Sequence, residues 1–553
     1  MAQQRTIMAE TLPLEVEVPQ THVFHQKISS ARKFILNRPD KLNALNLKMT
    51  RNITPQLKAW DVSKLAKVIL VKGAGDGRFC VGDDIADTLL KVKAKDPDAL
   101  LFFQEKSTLV HMISTLETPY VTILDGYALG AALGLFAHGP FRIATERTIF
   151  SLPEVSIGVP LSSGSSFFLP KLDGELGTYL ALTGSRLQGI DTFFVGIATH
   201  YVPSSRLPAL EDRLADLETS DHSVIQRVIE EFVEPVDVNK IGCLKTERET
   251  IDRCFRYNTV DEILEALDRE KSTTWIRETK RQLLSVSPTS LRVILRLLRK
   301  AESMSLRECL EMEFDLIQKF MVTKDFHEGV DAMFLSKPRR KPHWEPSTLA
   351  EISEDDIDHL YFNYPSPNAL TLPTKLDLKT RYPYSRFALP SEEDVRLAII
   401  GNGPEFGPEH RLTNDQDVLT WFMQGYRGKW GVQEKILDIL QRKTHHPDKR
   451  GSTSDDADYA HRILQAWEVL RDPVKRQHYD LELKTDQLSQ PTINAEIDLD
   501  EMDYDESSQT YTVECRCSGL YSITENDLEQ GVDVVNCDLC SLRIRVLYDV
   551  VDE

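Results

Sequence analysis

Short apolar runs alternate with helical patterns through the first two-thirds of the chain. AKVILVKG (66–73) and PYVTILDG (119–126) are apolar almost throughout and stop at glycine, which predicts strands buried on both faces. Residues 99–116 and 211–232 carry apolar side chains at helical spacing. From 261 to 334 the apolar period is helical throughout, and SPTSL (287–291) supplies a serine able to cap a first turn. Strand and helix in alternation predict an α/β core followed by a helical end-piece.

The pattern then breaks. KPRRKPHWEP (337–346) is a proline-rich boundary, and a second stretch rich in Pro and Tyr runs from 361 to 390. Short helices are expected between 392 and 443, most clearly at 432–443. Residues 491–510 hold seven acidic side chains and no basic one, a composition expected of a solvated linker. The predicted organisation is multidomain. A tail (1–22) precedes an α/β domain (23–346) and a helical extension (347–443). A small all-α piece (444–485), an acidic linker (486–508) and a small β-rich domain (509–550) complete it.

Composition narrows the function classes. At 553 residues, 41% hydrophobic and 27% charged, the chain is globular rather than disordered and long enough for about three domains. A formal net charge of −20 repels a phosphate backbone, so nucleic acid is not an expected partner. The apolar stretch at 121–137 is interrupted by Asp125 and rich in Gly and Ala, so no membrane span is expected. The first twenty residues hold one Arg and three Glu and no apolar core. That balance suits neither a mitochondrial presequence nor a secretory signal, and a cytoplasmic location is the default.

Candidate chemistry sits in a series of blocks: ILNRPDKLNALN (35–46), GAGDGRFCVGDDI (73–85), DGYALGAALGL (125–135) and FSLPEVSIG (150–158). Together they resemble the crotonase, or enoyl-CoA hydratase, superfamily. FFLPKL, LALTGSRLQG, GIATHYV, SPTSL and DFHEGV narrow the resemblance to 3-hydroxyisobutyryl-CoA hydrolases of valine catabolism, over about residues 23–346. The resemblance implies a crotonase spiral fold and an acyl-CoA thioester as substrate. Thioester hydrolysis pushes charge onto the carbonyl oxygen, which needs fixed amide donors where that charge develops. Carried over, the donors are the backbone N–H groups of Asp83 and Ala131, the latter after Gly130. Glu154 is the carboxylate that attacks the acyl carbon or activates water. A second acid is expected eight positions later, where this chain has Ser162.

Other positions also depart from the family pattern. GDD stands for GGD at 82–84 and GAA for GGG at 130–132, and Lys106 occupies a position where the family commonly has an acidic substrate contact. A carboxylate at Asp83 disfavours a neighbouring oxyanion unless its side chain turns to water. Two readings follow: a working thioesterase, or a scaffold that keeps the fold with weakened turnover. The second has precedent in relatives that are structural subunits of fungal mitochondrial ribosomes. RYPYSRFALPSEEDV and GKWGVQEKILDILQRKT, within 347–443, resemble the C-terminal extension of the fungal forms.

After residue 443 the character changes. THHPDKRG and AHRILQAWEVLRDPVKRQHYD resemble the second half of a J domain, whose His-Pro-Asp loop is His446, Pro447 and Asp448. The resemblance implies an Hsp70-type chaperone as partner. The first half of a J domain is missing, and the apolar positions of 432–443 fit the preceding domain better, which puts a junction near 443–445.

Further on, Cys515 and Cys517 are followed after nineteen residues by Cys537 and Cys540. Four thiolates in two close pairs can surround one tetrahedral ion, and so small a module needs a metal to hold itself. With the acidic segment, this end resembles the diphthamide biosynthesis protein 4 family. That resemblance implies zinc or iron at the four cysteines and diphthamide biosynthesis enzymes as partners. The hydrolase family is largely mitochondrial and the diphthamide family cytosolic or nuclear, so mitochondrial residence is the alternative location.

Overall fold

The computed structural model describes residues 21–236, 247–373, 378, 384–400, 412, 415–444, 495–529, 532–540 and 542–548. The chain divides into two compact units, 1–445 and 446–553.

The strands of the first unit are β1 (Val23–Ile28), β2 (Ala31–Leu36), β3 (Val68–Gly73), β4 (Arg78–Cys80), β5 (Tyr120–Leu124), β6 (Tyr127–Leu129), β7 (Phe141–Ala144), β8 (Ile149–Ser151), β9 (Leu187–Gln188) and β10 (His200–Tyr201). They form two sheets. The larger has the order β1-β2-β3-β5-β7-β10; β1 pairs antiparallel with β2 and the other neighbours are parallel. The smaller runs β4-β6-β8-β9, parallel apart from its last pair. β3, β5 and β7 of the first sheet are each followed closely by a strand of the second, β4, β6 and β8, and the repeat advances as a spiral. β5 is buried at every position, as its unbroken apolar run predicts.

Helices close the layers. Leu47–Asp61 is capped by Asn46, whose side chain accepts from the Met49 amide at 3.0 Å. Pro288–Ala301 begins at the predicted signal: Ser287 caps the Ser290 amide and Pro288 fills the first helical position. One expectation needs correcting. Residues 211–232 are not a single helix but parts of two, Leu207–Ala215 and His222–Glu230, because Asp221 caps the second through the Ser223 amide at 2.7 Å.

In the extension, the helix Val432–Thr444 buries Val432, Ile436, Ile439 and Leu440 against Phe193, Val418 and Phe422 of the same unit. Lys435 meets Asp173 at 2.5 Å, fixing the extension to the α/β core.

The second unit contains β11 (Ala495–Asp498), β12 (Asp503–Asp505), β13 (Thr510–Glu514), β14 (Leu520–Thr524), β15 (Val534–Asn536) and β16 (Arg543–Leu547). They form two three-stranded sheets, β12-β13-β14 and β11-β16-β15. Here the expected linker is corrected: residues 495–498 and 503–505 are strands, paired parallel with β16 and antiparallel with β13. Backbone pairing needs no apolar side chain, so acidic residues that face water on both strands hid it from a composition argument. Residues 444–485, expected as a partial J domain, lie outside the described residues apart from the end of the helix at Thr444; so do His446, Pro447 and Asp448.

Among the described residues no helix is long and apolar enough to cross a membrane.

Candidate functional site

The sheets bring the first group of candidate residues together at the ends of β4, β6 and β8. Gly82 follows β4 with φ +85°, and a Cβ there would lie 3.0 Å from both the Ala131 nitrogen and the Leu129 oxygen. Only glycine lets the two turns approach so closely. Asp83 forms a parallel bridge with Leu45: the Leu45 amide donates to the Gly82 oxygen at 2.7 Å and the Asp84 amide to the Leu45 oxygen at 2.8 Å. In such a bridge the central residue's amide faces away from its partner, so the Asp83 N–H is turned from Leu45.

Ala131 is the second residue of the short 3-10 turn Gly130–Leu135, whose first amides have no partner within the turn. Glu154 opens another, Glu154–Ile157, directly after Leu152 and Pro153. A Cβ on Gly130 would stand 2.9 Å from Glu154 Oε1, so this backbone passes against the carboxyl group. Glu154 is 5% exposed and, among the described residues, its Oε2 has no hydrogen-bond partner. Burial pushes its pKa up to about 8, helped by the negative Asp83 and Glu313 and opposed by Lys106.

The Asp83 side chain does not turn to water. Its carboxylate meets Lys106 Nζ at 2.5 Å, and both side chains are buried. Lys106 projects from the helix Asp98–Ser114, over the rings of Phe103 and Phe102 at 4.7 and 5.5 Å. The same ammonium donates to Ser162 Oγ at 3.2 Å. Two of the departures from the family pattern, 23 residues apart in sequence, are thus in direct contact, and a third joins them. Burial raises the Asp83 pKa while Lys106 opposes the rise.

One residue escaped the sequence reading. Glu313, buried on the helix Leu306–Phe320, accepts from the amides of Gly164 and Ser166 at 2.7 and 2.9 Å and from Ser166 Oγ at 2.7 Å. It pins the loop that carries Ser162. From the other side His138 Nε2 donates to the Ser163 oxygen at 3.2 Å, its ring kept neutral by burial that lowers the pKa to about 3. A signal existed: Glu313 falls on the apolar stripe of its helix, among Leu306, Cys309, Leu310 and Ile317.

The four cysteines form a separate cluster in the second unit. Their Sγ atoms all lie within 4.8 Å of one another, with Cys515 and Cys540 at 3.8 Å and Cys517 and Cys537 at 3.4 Å. Ligands at about 2.3 Å from a tetrahedral zinc stand about 3.8 Å apart, so the set fits that ion. The Leu539 amide points at Cys537 Sγ at 3.4 Å, and the Tyr521 hydroxyl lies 3.3 Å from Cys515 Sγ. Both are donors suited to thiolate.

Comparison with known proteins gives each unit a family. Residues 31–361 match the family described as enoyl-CoA hydratase/isomerase, and residues 495–549 match the CSL zinc finger. The small ribosomal subunit protein mS47 of Neurospora crassa is 40% identical over 454 residues, covering 78% of this chain and 87% of that protein. The mitochondrial 3-hydroxyisobutyryl-CoA hydrolase of Homo sapiens is 41% identical over 326 residues, 59% of this chain and 84% of the hydrolase. Among solved structures, a carnitinyl-CoA dehydratase from Mycobacterium thermoresistibile superposes with a TM-score of 0.59 at 28% identity, covering 64% of this chain and all of that one.

Proposed function

The chain belongs to the enoyl-CoA hydratase/isomerase family, and on that footing we propose that it hydrolyses acyl-CoA thioesters, with 3-hydroxyisobutyryl-CoA as substrate. The observation that carries this reading is the buried, half-unpaired carboxyl of Glu154 beside the Gly130–Ala131 turn. The amides of Asp83 and Ala131 hold the thioester oxygen as it gains charge. Deprotonated Glu154 either takes a proton from the water that attacks the acyl carbon and passes it to the departing CoA sulfur, or attacks the carbon itself, expelling CoA thiolate and forming a mixed anhydride that water then hydrolyses to the free acid and the regenerated carboxylate, the released proton going to the thiolate. A pKa of about 8 keeps Glu154 basic enough for either part. Turnover by the full chain, lost on Glu154→Gln, tests the proposal; undiminished turnover in that variant refutes it.

A second reading, a crotonase-fold scaffold with weakened turnover, is favoured by Ser162 standing where a second acid is expected and by the ribosomal-protein relative. Cosedimentation of the full chain with small ribosomal subunits, without thioester cleavage, would support it over the first.

For the terminal unit we propose a metal-holding module of the diphthamide-biosynthesis type, with zinc on Cys515, Cys517, Cys537 and Cys540. Zinc there supplies a cross-link between the two pairs of thiolates. One equivalent of metal on the full chain, lost when any of the four is changed to Ser, supports this; copurification with diphthamide enzymes tests the partner class. The hydrolase relatives are named mitochondrial, which supports a mitochondrial over a cytoplasmic location; imaging of the tagged full chain decides between them.

A further inference from the structure

Two substitutions that look harmful one at a time are placed against each other in the structure. We propose that Lys106 is a positioning residue that holds and neutralises the buried Asp83 carboxylate, so that the Asp83 amide remains usable as a donor. The inference rests on the thioester reading of the site and deepens it.

A carboxylate attached to the residue whose amide must stabilise an oxyanion works against that amide, most strongly where water is excluded. Asp83 is such a residue, and its side chain is only 8% exposed. Water is therefore not its counterweight. The Lys106 ammonium is, at 2.5 Å from Oδ2, with its position fixed by the rings of Phe102 and Phe103 and by Ser162 Oγ at 3.2 Å.

Ser162 contributes to the same end: a hydroxyl accepts from Lys106, whereas an acid at 162 would compete with Asp83 for it. The three departures therefore form one compensating set. Losing one buried partner leaves an uncompensated charge, while losing both leaves none.

The test is a double-variant cycle on the full chain with two readouts. The first is kcat and KM for 3-hydroxyisobutyryl-CoA. The second is the infrared stretch of the thioester carbonyl in a bound, slowly hydrolysed acyl-CoA, which falls in frequency when the amide pair polarises it. Lys106→Met is expected to lower kcat by about a hundredfold with KM within about threefold, and to return the carbonyl stretch toward its value in water. Asp83→Asn combined with Lys106→Met is expected to recover at least tenfold of the lost kcat and the lowered stretch. Asp83→Asn alone keeps the lowered stretch, and it decides the question if Lys106→Met does not fold.

A double variant no better than Lys106→Met overturns the proposal. So does loss of the lowered stretch in Asp83→Asn alone, or a wild-type complex without any lowering. A wild-type chain that polarises the carbonyl with the expected pattern but does not turn over sinks the hydrolase reading and leaves the compensation standing.

Discussion

The Glu154 carboxyl, proposed above as the reactive group, sits in a core that exists without it: Phe136, Phe150, Leu152 and Leu161 are fully buried or nearly so and belong to one large cluster. In the terminal unit Cys515 and Cys537 are themselves part of a core otherwise made of Met502, Tyr521, Ile523, Val535, Ile544 and Val546. In the first region the chemistry is placed on a fold that stands by itself, and the fold tolerates charge at a cost in pKa. In the second, the candidate ligands are themselves core side chains, and in so small a core the proposed metal is expected to couple ligand placement to folding.

The sharpest way to break this comparison is to strip the metal from the full chain. Structural zinc contributes about 10–16 kcal/mol in small metal-dependent modules, so chelation or Cys537→Ser should abolish the ribbon's NMR dispersion. The thermal transition of residues 21–444 should not move. A ribbon that stays folded without metal would place both regions in the same class.

Next in size is Glu154→Gln, expected to reduce kcat by about a hundred- to ten-thousandfold in steady-state assays while the protein remains folded. The pH dependence belongs with it. With the carboxylate as the working form in the proposed mechanism and burial pushing its pKa up to about 8, kcat/KM should rise with pH and level off above that value.

Stability should move the other way. A carboxyl whose pKa is raised on folding favours the native state at low pH, and that contribution is lost as pH climbs from about 4.5 through about 8. Glu154→Gln should therefore raise Tm more at pH 8.5 than at pH 5, as scanning calorimetry would read.

Smaller effects sharpen the contrast. Glu313→Gln removes the charge that holds the 162–166 loop and should cost about 1–3 kcal/mol in denaturant unfolding. Tyr521→Phe removes one donor near Cys515 and should cost about 1 kcal/mol, read as weaker metal retention in a chelator competition.

Much of this molecule was legible along the chain because the signals are local. The strands at 68–73 and 120–124, the cap at Ser287 and the four-cysteine spacing each need only neighbours a few residues away to be recognised. The strands at 495–498 and 503–505 were not legible, since their partners lie up to 49 residues further on and their side chains are acidic and mostly outward. The break at Asp221 was missed for a related reason: one capping side chain outweighs an apolar period that runs straight through it.

Sequence alone determined which residue types stand at positions 83, 106, 154 and 162, and that three of them depart from the family pattern. That two departures answer each other was decided by tertiary structure. Lys106 leaves a helix and Asp83 a turn, and only the packing of that helix across the turn brings ammonium and carboxylate to 2.5 Å. The physical reason is range. Backbone preferences and metal-ligand spacing act within a few residues, whereas the energy of a buried charge depends on every group around it, whatever its place in the chain.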